Sequence, residues 1–392
     1  MMYNFDEVID RKGTNAVKLE RCKALFGTDN VLPLWVADMD FRTPDFILNA
    51  ISERLKHPIL GYSVLTKSFY SLTQKWLLEH HHWDTKTEWI GFLPGIVPGL
   101  AFAVQCFTQP EDGVLVQPPV YYPFFNVIKN NHRVVVQNPL QEVNGRYAMN
   151  YEALEAQFTH NTKLFILCNP HNPGGRVWTK DELLKLAAIC EKHHVLVVSD
   201  EIHADMTFEG NTHIPFASIS HWAQNNTITL MAATKVFNMP ALVSSYYVIP
   251  NADLRHKFAS FLEVSEISSG NLFAYIGVLA AYEHGEPWRI AMLRYVKNNI
   301  DYVVDFLKNN VPQVVPMIPE ASFLVWLDCS ALGMETDVLH QFFALKAGLG
   351  FNKGTVFGTG GEFHLRMNVA CARSVLEQAM FQLKAAVEAN EK

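Results

Sequence analysis

An α/β fold with a smaller α+β domain is predicted by three features of this 392-residue chain. First, seven short β-rich runs recur through its middle: 87–93, 113–117, 132–137, 163–168, 195–199, 227–231 and 243–249. Several lack the alternation of a half-buried strand, which suits strands covered on both faces in a largely parallel sheet. Second, helical periodicity fills several of the gaps between them, and alternating strand and helix patterns mean an α/β domain. Third, the style changes after residue 285. A long helix over 287–309 leads to the strand-like "SFLVWLD" (322–328), a helix near 335–347, "HLRMNVA" (364–370) and a closing helix.

Taken in order, residues 1–45 are irregular and are expected to dock on the small domain. Residues 46–285 form the large domain and 286–392 the small one. The clearest helix is "TKDELLKLAAICEKHH" (179–194). Thr179 is its N-cap, acids fill its first turn and basic residues its last, which complements the helix dipole.

About half of the residues are hydrophobic and 18% are charged, as in a soluble globular enzyme. A net charge of −7 argues against holding nucleic acid through its phosphates. No stretch reaches the roughly 18 uninterrupted apolar residues of a membrane span. The start, "MMYNFDEVIDRKGTN", has acids where a secretory signal would have an apolar core. The six cysteines are scattered without a CxxC, so a reducing cytoplasm is expected. "HHHWD" (80–84) suggests a metal, but adjacent helical residues face different ways and no nearby ligand completes a site.

Ligands of open α/β sheets sit outside the carboxyl ends of the strands. After 87–93 stands "PGIVPG", whose Gly95, Ile96 and Val97 amides open a helix and can meet an anion. After 113–117 stands "PPVYYP", with Tyr121 and Tyr122 able to stack on a planar ring. "NPHNPGG" (169–175) follows 163–168, and "DEIHAD" (200–205) follows 195–199. Asp200 could cap a helix, but a carboxylate at a strand end also suits a buried cationic ring nitrogen. After 227–231 comes Lys235, in "TLMAATKVFNMPAL". Lysine in so apolar a run is either a snorkelling surface residue or a desolvated amine able to act as nucleophile or base.

"NPHNPGG", "SDEIHAD" and "TKVFNMPAL", in that order and spacing, resemble fold-type I pyridoxal-phosphate (PLP) enzymes of the aspartate aminotransferase superfamily. "PLWVADMDF" (33–41), "PGIVPG" and "PPVYYPF" narrow the resemblance to its cystathionine β-lyase, or carbon–sulfur lyase, branch. It covers residues 3–388 and implies the PLP-dependent transferase fold. By this resemblance Lys235 binds PLP covalently and Asp200 pairs with the pyridinium nitrogen. Asn172 bonds the ring's 3′-oxygen, and Tyr121 stacks on the ring. Gly95, Ile96, Val97 and Thr234 meet the phosphate, and Arg366 clamps the substrate carboxylate. A homodimer is implied, in which Tyr62 reaches the neighbouring subunit's phosphate. Many relatives have serine where Thr234 stands. Many aminotransferases also carry an arginine eight residues after the lysine and a tyrosine three after the aspartate. Here those positions are Val243 and His203, with His203 expected beside the cofactor. The second departure fits a lyase that releases thiol, pyruvate and ammonia from cystathionine, cystine or related thioethers. Transamination on the same machinery is the alternative.

Overall fold

The computed structural model describes residues 3–390. Its central sheet has seven strands: β1 (Ile90–Leu93), β2 (Gly113–Val116), β3 (Val134–Gln137), β4 (Thr162–Cys168), β5 (Leu196–Asp200), β6 (Thr227–Met231) and β7 (Ser245–Val248). They lie in the order β1-β7-β6-β5-β4-β2-β3. The ladders joining β2 through β6 are parallel, and β7 runs antiparallel to both its neighbours. Strands β1, β2, β6 and β7 are buried at every residue, which is why their sequences read as continuous apolar runs. Only edge strand β3 exposes both of its ends.

A second, antiparallel sheet contains β8 (Val315–Met317), β9 (Leu324–Asp328), β10 (Asn352–Lys353) and β11 (His364–Asn368), in the order β8-β9-β11-β10. Helix α1 (Ile96–Phe107) follows β1 directly. Helix α2 (Lys180–Lys192) starts on a capping box, with Thr179 and Glu182 each accepting from the other's backbone amide. Helix α3 (Glu286–Asn310) is the long helix expected from the sequence. The helix expected near 335–347 is a short α-helix, Thr336–Gln341, continued by a π-helical turn, Phe342–Lys346. The hairpin Gln141–Val143/Arg146–Ala148 has no alternating apolar pattern and was not legible in the sequence.

The N-terminal segment, expected to be irregular, contains two short helices, Val17–Glu20 and Cys22–Phe26, and beyond them is tied down by its backbone. Leu32 and Pro33 pair with Leu349 and Gly350. Beyond them, the carbonyls of residues 35–39 and 41 each accept a side-chain hydrogen bond from elsewhere in the fold. Two of these carbonyls, of Met39 and Phe41, accept from the Asn238 amide, and the Asn238 oxygen in turn accepts from the Met39 amide. Asn238 is itself left-handed, at φ 47°. Asn238→Gly keeps that backbone and removes only the bonds, and should cost about 2 kcal/mol in urea unfolding. Asn238→Ala should cost about 1 kcal/mol more, because a Cβ is strained at positive φ. Equal losses in the two variants would mean that the backbone contributes nothing.

Candidate active site

The carboxyl ends of the parallel strands converge on a cavity of about 250 Å3. Its wall includes Gly95, Ile96 and Val97 after β1, Tyr121 after β2, Asn172 after β4, Asp200 and His203 at and after β5, and Thr234 and Lys235 after β6. Nine residues singled out from separate stretches of sequence thus meet in one place. Arg366, in the interior strand β11, joins them through Asn172. Tyr62 does not. It stands fully exposed in the irregular stretch between helices Asp45–Leu55 and Lys67–His81, away from this chain's own cavity.

Lys235 follows β6 in a turn, and its ammonium donates to the Ala37 carbonyl at 2.5 Å. Burial lowers its pKa from 10.5 to about 8, helped by the Arg366 cation and opposed by the carboxylates of Asp38 and Asp200. Asp200 has the reverse problem. Burial raises its carboxyl to about 7, and the neighbouring Glu201 adds to the rise. Among the described residues its carboxylate's only hydrogen bond comes from the Ile202 amide, at 3.2 Å. A carboxyl so placed ionises fully only when a cation is brought to it.

Arg366 is buried, with burial lowering its pKa to about 10. Its guanidinium donates to Asn172 Oδ1 at 3.0 Å, Asn352 Oδ1 at 2.7 Å and the Trp35 carbonyl at 3.2 Å, all neutral. Its Nε has no partner, and no carboxylate pairs with it among the described residues. Such a cation is expensive to keep uncompensated, and a substrate carboxylate would relieve it. Arg366 is therefore not an arginine held in a surface ion pair.

His203 is buried, and desolvation lowers its pKa to about 3, so its ring is neutral. Tyr121 keeps its proton, since burial raises its pKa. At one end of the cavity lies the start of α1. The Gly95 amide already donates to Ser245 Oγ at 3.0 Å, while Ile96 and Val97 occupy the first turn, whose amides have no acceptor within the helix. The Ser244 hydroxyl is buried and has no partner among the described residues. Val243 also lines the cavity and takes φ 51°, a strained conformation for a β-branched residue.

Sequence reasoning missed Ser244 and Ser245 because it inspected only the residues after each strand. β7 is antiparallel, so its start lies with the other strands' ends: Ser245 pairs with Leu93 and Tyr246 with Met231. Reading the first residues of "SSYYV" as well as the ends of the other strands would have found them. The carbonyls of Trp35 and Ala37, and the Asn352 side chain, left no local signal at all.

The basicity of Lys235 can be measured directly. Competitive acylation of the cofactor-free protein should label Lys235 with a midpoint near pH 8. Asp38→Asn should lower that midpoint, because the Asp38 carboxylate favours the ammonium. A midpoint at the ordinary lysine value would mean that water reaches the amine freely.

The family model for aminotransferase class I and II matches residues 29–383. Cystathionine beta-lyase PatB of Bacillus subtilis is 41% identical over 98% of this chain and all of its own length. Cystalysin from Treponema denticola, solved with a pyridoxal 5′-phosphate cofactor, superposes with a TM-score of 0.96 at 33% identity, each chain covered in full. The PLP-bound C-S lyase from Staphylococcus hominis superposes with a TM-score of 0.92 at 36% identity, covering 98% of both chains. From the family match along most of its length and the cavity at its strand ends, the chain belongs to the aminotransferase class I and II family.

Proposed function

We propose that this chain is a PLP-dependent carbon–sulfur β-lyase of the cystathionine β-lyase type. The observation that carries the reading is the placement, in one cavity, of a lysine that can shed its proton near neutral pH and a buried carboxyl that lacks a cation. The residues present fit PLP. Lys235 would hold the aldehyde carbon, Asp200 the ring nitrogen, Asn172 the ring's phenolic oxygen, and Tyr121 the ring face, with the neutral His203 beside it. The phosphate would take the amides of Ile96 and Val97 and the hydroxyls of Thr234 and Ser244. With Gly95 engaged by Ser245, its part is to shape the turn at φ 117°. When bound, PLP supplies an electron sink conjugated to the substrate's Cα.

Around that sink the protein's tasks divide clearly. Arg366 binds the substrate carboxylate and so fixes which Cα bond faces Lys235. Lys235, as a neutral amine, would take the substrate's Cα proton. Asp200 stays ionised opposite the ring nitrogen and stabilises its positive charge. Loss of the β-thiolate then gives an enamine, which with water becomes pyruvate and ammonia. Full-length similarity to proteins named cystathionine β-lyase and C-S lyase supports elimination over transamination. We further assign, among the described residues, those up to 45 as a segment docking on the small domain, 46–285 as the large domain and those from 286 on as the small one, with the cytoplasm as the compartment. The exposed apolar side chains Ile59, Leu60, Tyr62 and Val64 support a homodimer in which Tyr62 reaches the partner's phosphate.

A substrate panel tests the reaction. Cystathionine or cystine should yield pyruvate without an added 2-oxo acid, and the borohydride-fixed cofactor should map to Lys235. Turnover that depends on a 2-oxo acid and forms no pyruvate would make the chain an aminotransferase. Arg366→Lys should raise KM at least tenfold, roughly the 1.4 kcal/mol that loss of a bidentate fork costs. An unchanged KM would move Arg366 out of the site. Dimer exchange tests Tyr62. Inactive Tyr62→Phe and Lys235→Ala proteins, dissociated and mixed, should regain about a quarter of wild-type activity if Tyr62 acts across a two-fold interface. No recovery would place Tyr62 outside the partner's site.

A further inference from the structure

The motif "DEIHAD" contributes Asp200 and His203 to the cavity, and its other two ionisable residues turn the opposite way. Glu201 is buried and accepts three hydrogen bonds: from Ser199 Oγ at 2.8 Å, the Phe216 amide at 2.9 Å, and His213 Nε2 at 2.8 Å. Asp205 is buried too, accepting from Trp76 Nε1 at 2.9 Å and His81 Nε2 at 2.8 Å. The Asp205 carbonyl takes a further bond from Arg289. The two imidazoles meet edge to face, with ring centroids 5.3 Å apart, so both pairs belong to one packed unit. Burial keeps His81 neutral, while its hydrogen bond and that of Trp76 hold Asp205 ionised. His81 therefore donates an N–H to a carboxylate. It is also the central histidine of "HHHWD", whose neighbour His80 turns away to Glu286.

Two histidine–carboxylate pairs are costly objects to bury, and apolar residues of the same size would serve folding as well or better. Their placement gives the cost a purpose. They grip the turn at residues 201 and 205, and the cavity-facing residues 200 and 203 lie beside or between those grips. Asp200 itself has only the Ile202 amide to orient it. We propose that Glu201 and Asp205, held by His213 and His81, are positioning residues that aim Asp200 and His203 into the cavity. The inference rests on the reading that Asp200 faces the PLP ring nitrogen, since it is through that carboxylate that a loosened grip would be felt.

The test is a double-mutant cycle read by PLP affinity. Apoprotein is titrated with PLP for wild type, His213→Gln, Asp200→Asn and the double variant. If Glu201 and His213 act through Asp200, His213→Gln weakens PLP binding about tenfold alone but less than twofold when Asp200→Asn is already present. His81→Gln is expected to follow the same pattern, and a wild-type-like melting temperature of each apoprotein would separate lost aim from lost fold. Equal losses in both backgrounds, or no loss in either, would make the pairs purely structural and overturn the proposal. Should the histidine variants fail to fold, Glu201→Gln, which keeps the shape and the Ser199 and Phe216 bonds, is read by the same criterion. A wild-type protein that binds no PLP would defeat the cofactor reading itself, and that outcome is visible before any variant is made.

Discussion

Three ionisable groups kept from water without an ionic partner are the constraint on which the rest of this molecule turns. Lys235 bonds a carbonyl, Asp200 a single amide, and Arg366 only amide and carbonyl oxygens. None pairs with another charged side chain among the described residues. Each desolvated charge costs several kcal/mol unless something compensates it. Folding alone would pair them or replace them. The proposed cofactor and substrate would supply what they lack: an aldehyde for Lys235, a cationic ring nitrogen for Asp200 and a carboxylate for Arg366.

Holding such a cavity open demands rigidity around it, and the fold supplies this from several directions. The sheet behind the cavity is covered on both faces, so its strand ends cannot drift. Residues 35–41 form a strap across the front. Their carbonyls tie Lys235, Asn238, Arg366 and Asn368 to one stretch of backbone. The strap is anchored by charge: Arg11 and the buried Lys18 share Asp38 and Asp40, at 2.7–3.5 Å. This cluster is compensated internally, in contrast to the site it supports. Charge is thus balanced where it holds structure and unbalanced where a ligand would complete it.

The one strand of the central sheet that runs against its neighbours has a consequence out of proportion to its length. Because β7 enters the sheet reversed between β1 and β6, its first residues, not its last, arrive at the cavity. Ser244 and Ser245 reach the cavity by this route, close to the start of α1. Strand direction is a property of the chain's path, and no local pattern in "VSSYYVI" encodes it.

Much was nevertheless legible. The seven apolar runs became the seven strands; in all but the exposed edge strand β3, burial leaves a near-continuous hydrophobic signature. Thr179 caps its helix as expected, because capping is a contact three residues long. Residues at strand ends could be nominated for the site, because parallel sheets always gather those ends on one edge. The sequence by itself therefore determined the layers, the edge that carries chemistry, and the residue types that meet there. Tertiary structure alone decided the rest. It placed the carbonyls of Trp35 and Ala37 on Arg366 and Lys235, across separations of 331 and 198 residues. It set Glu201 and Asp205 on the far side of the turn from Asp200. It also withheld from Lys235, Asp200 and Arg366 the partners that would have quenched them. A backbone carbonyl has no residue identity and burial has no motif. Both arise only when distant segments close on one another and displace the water between them.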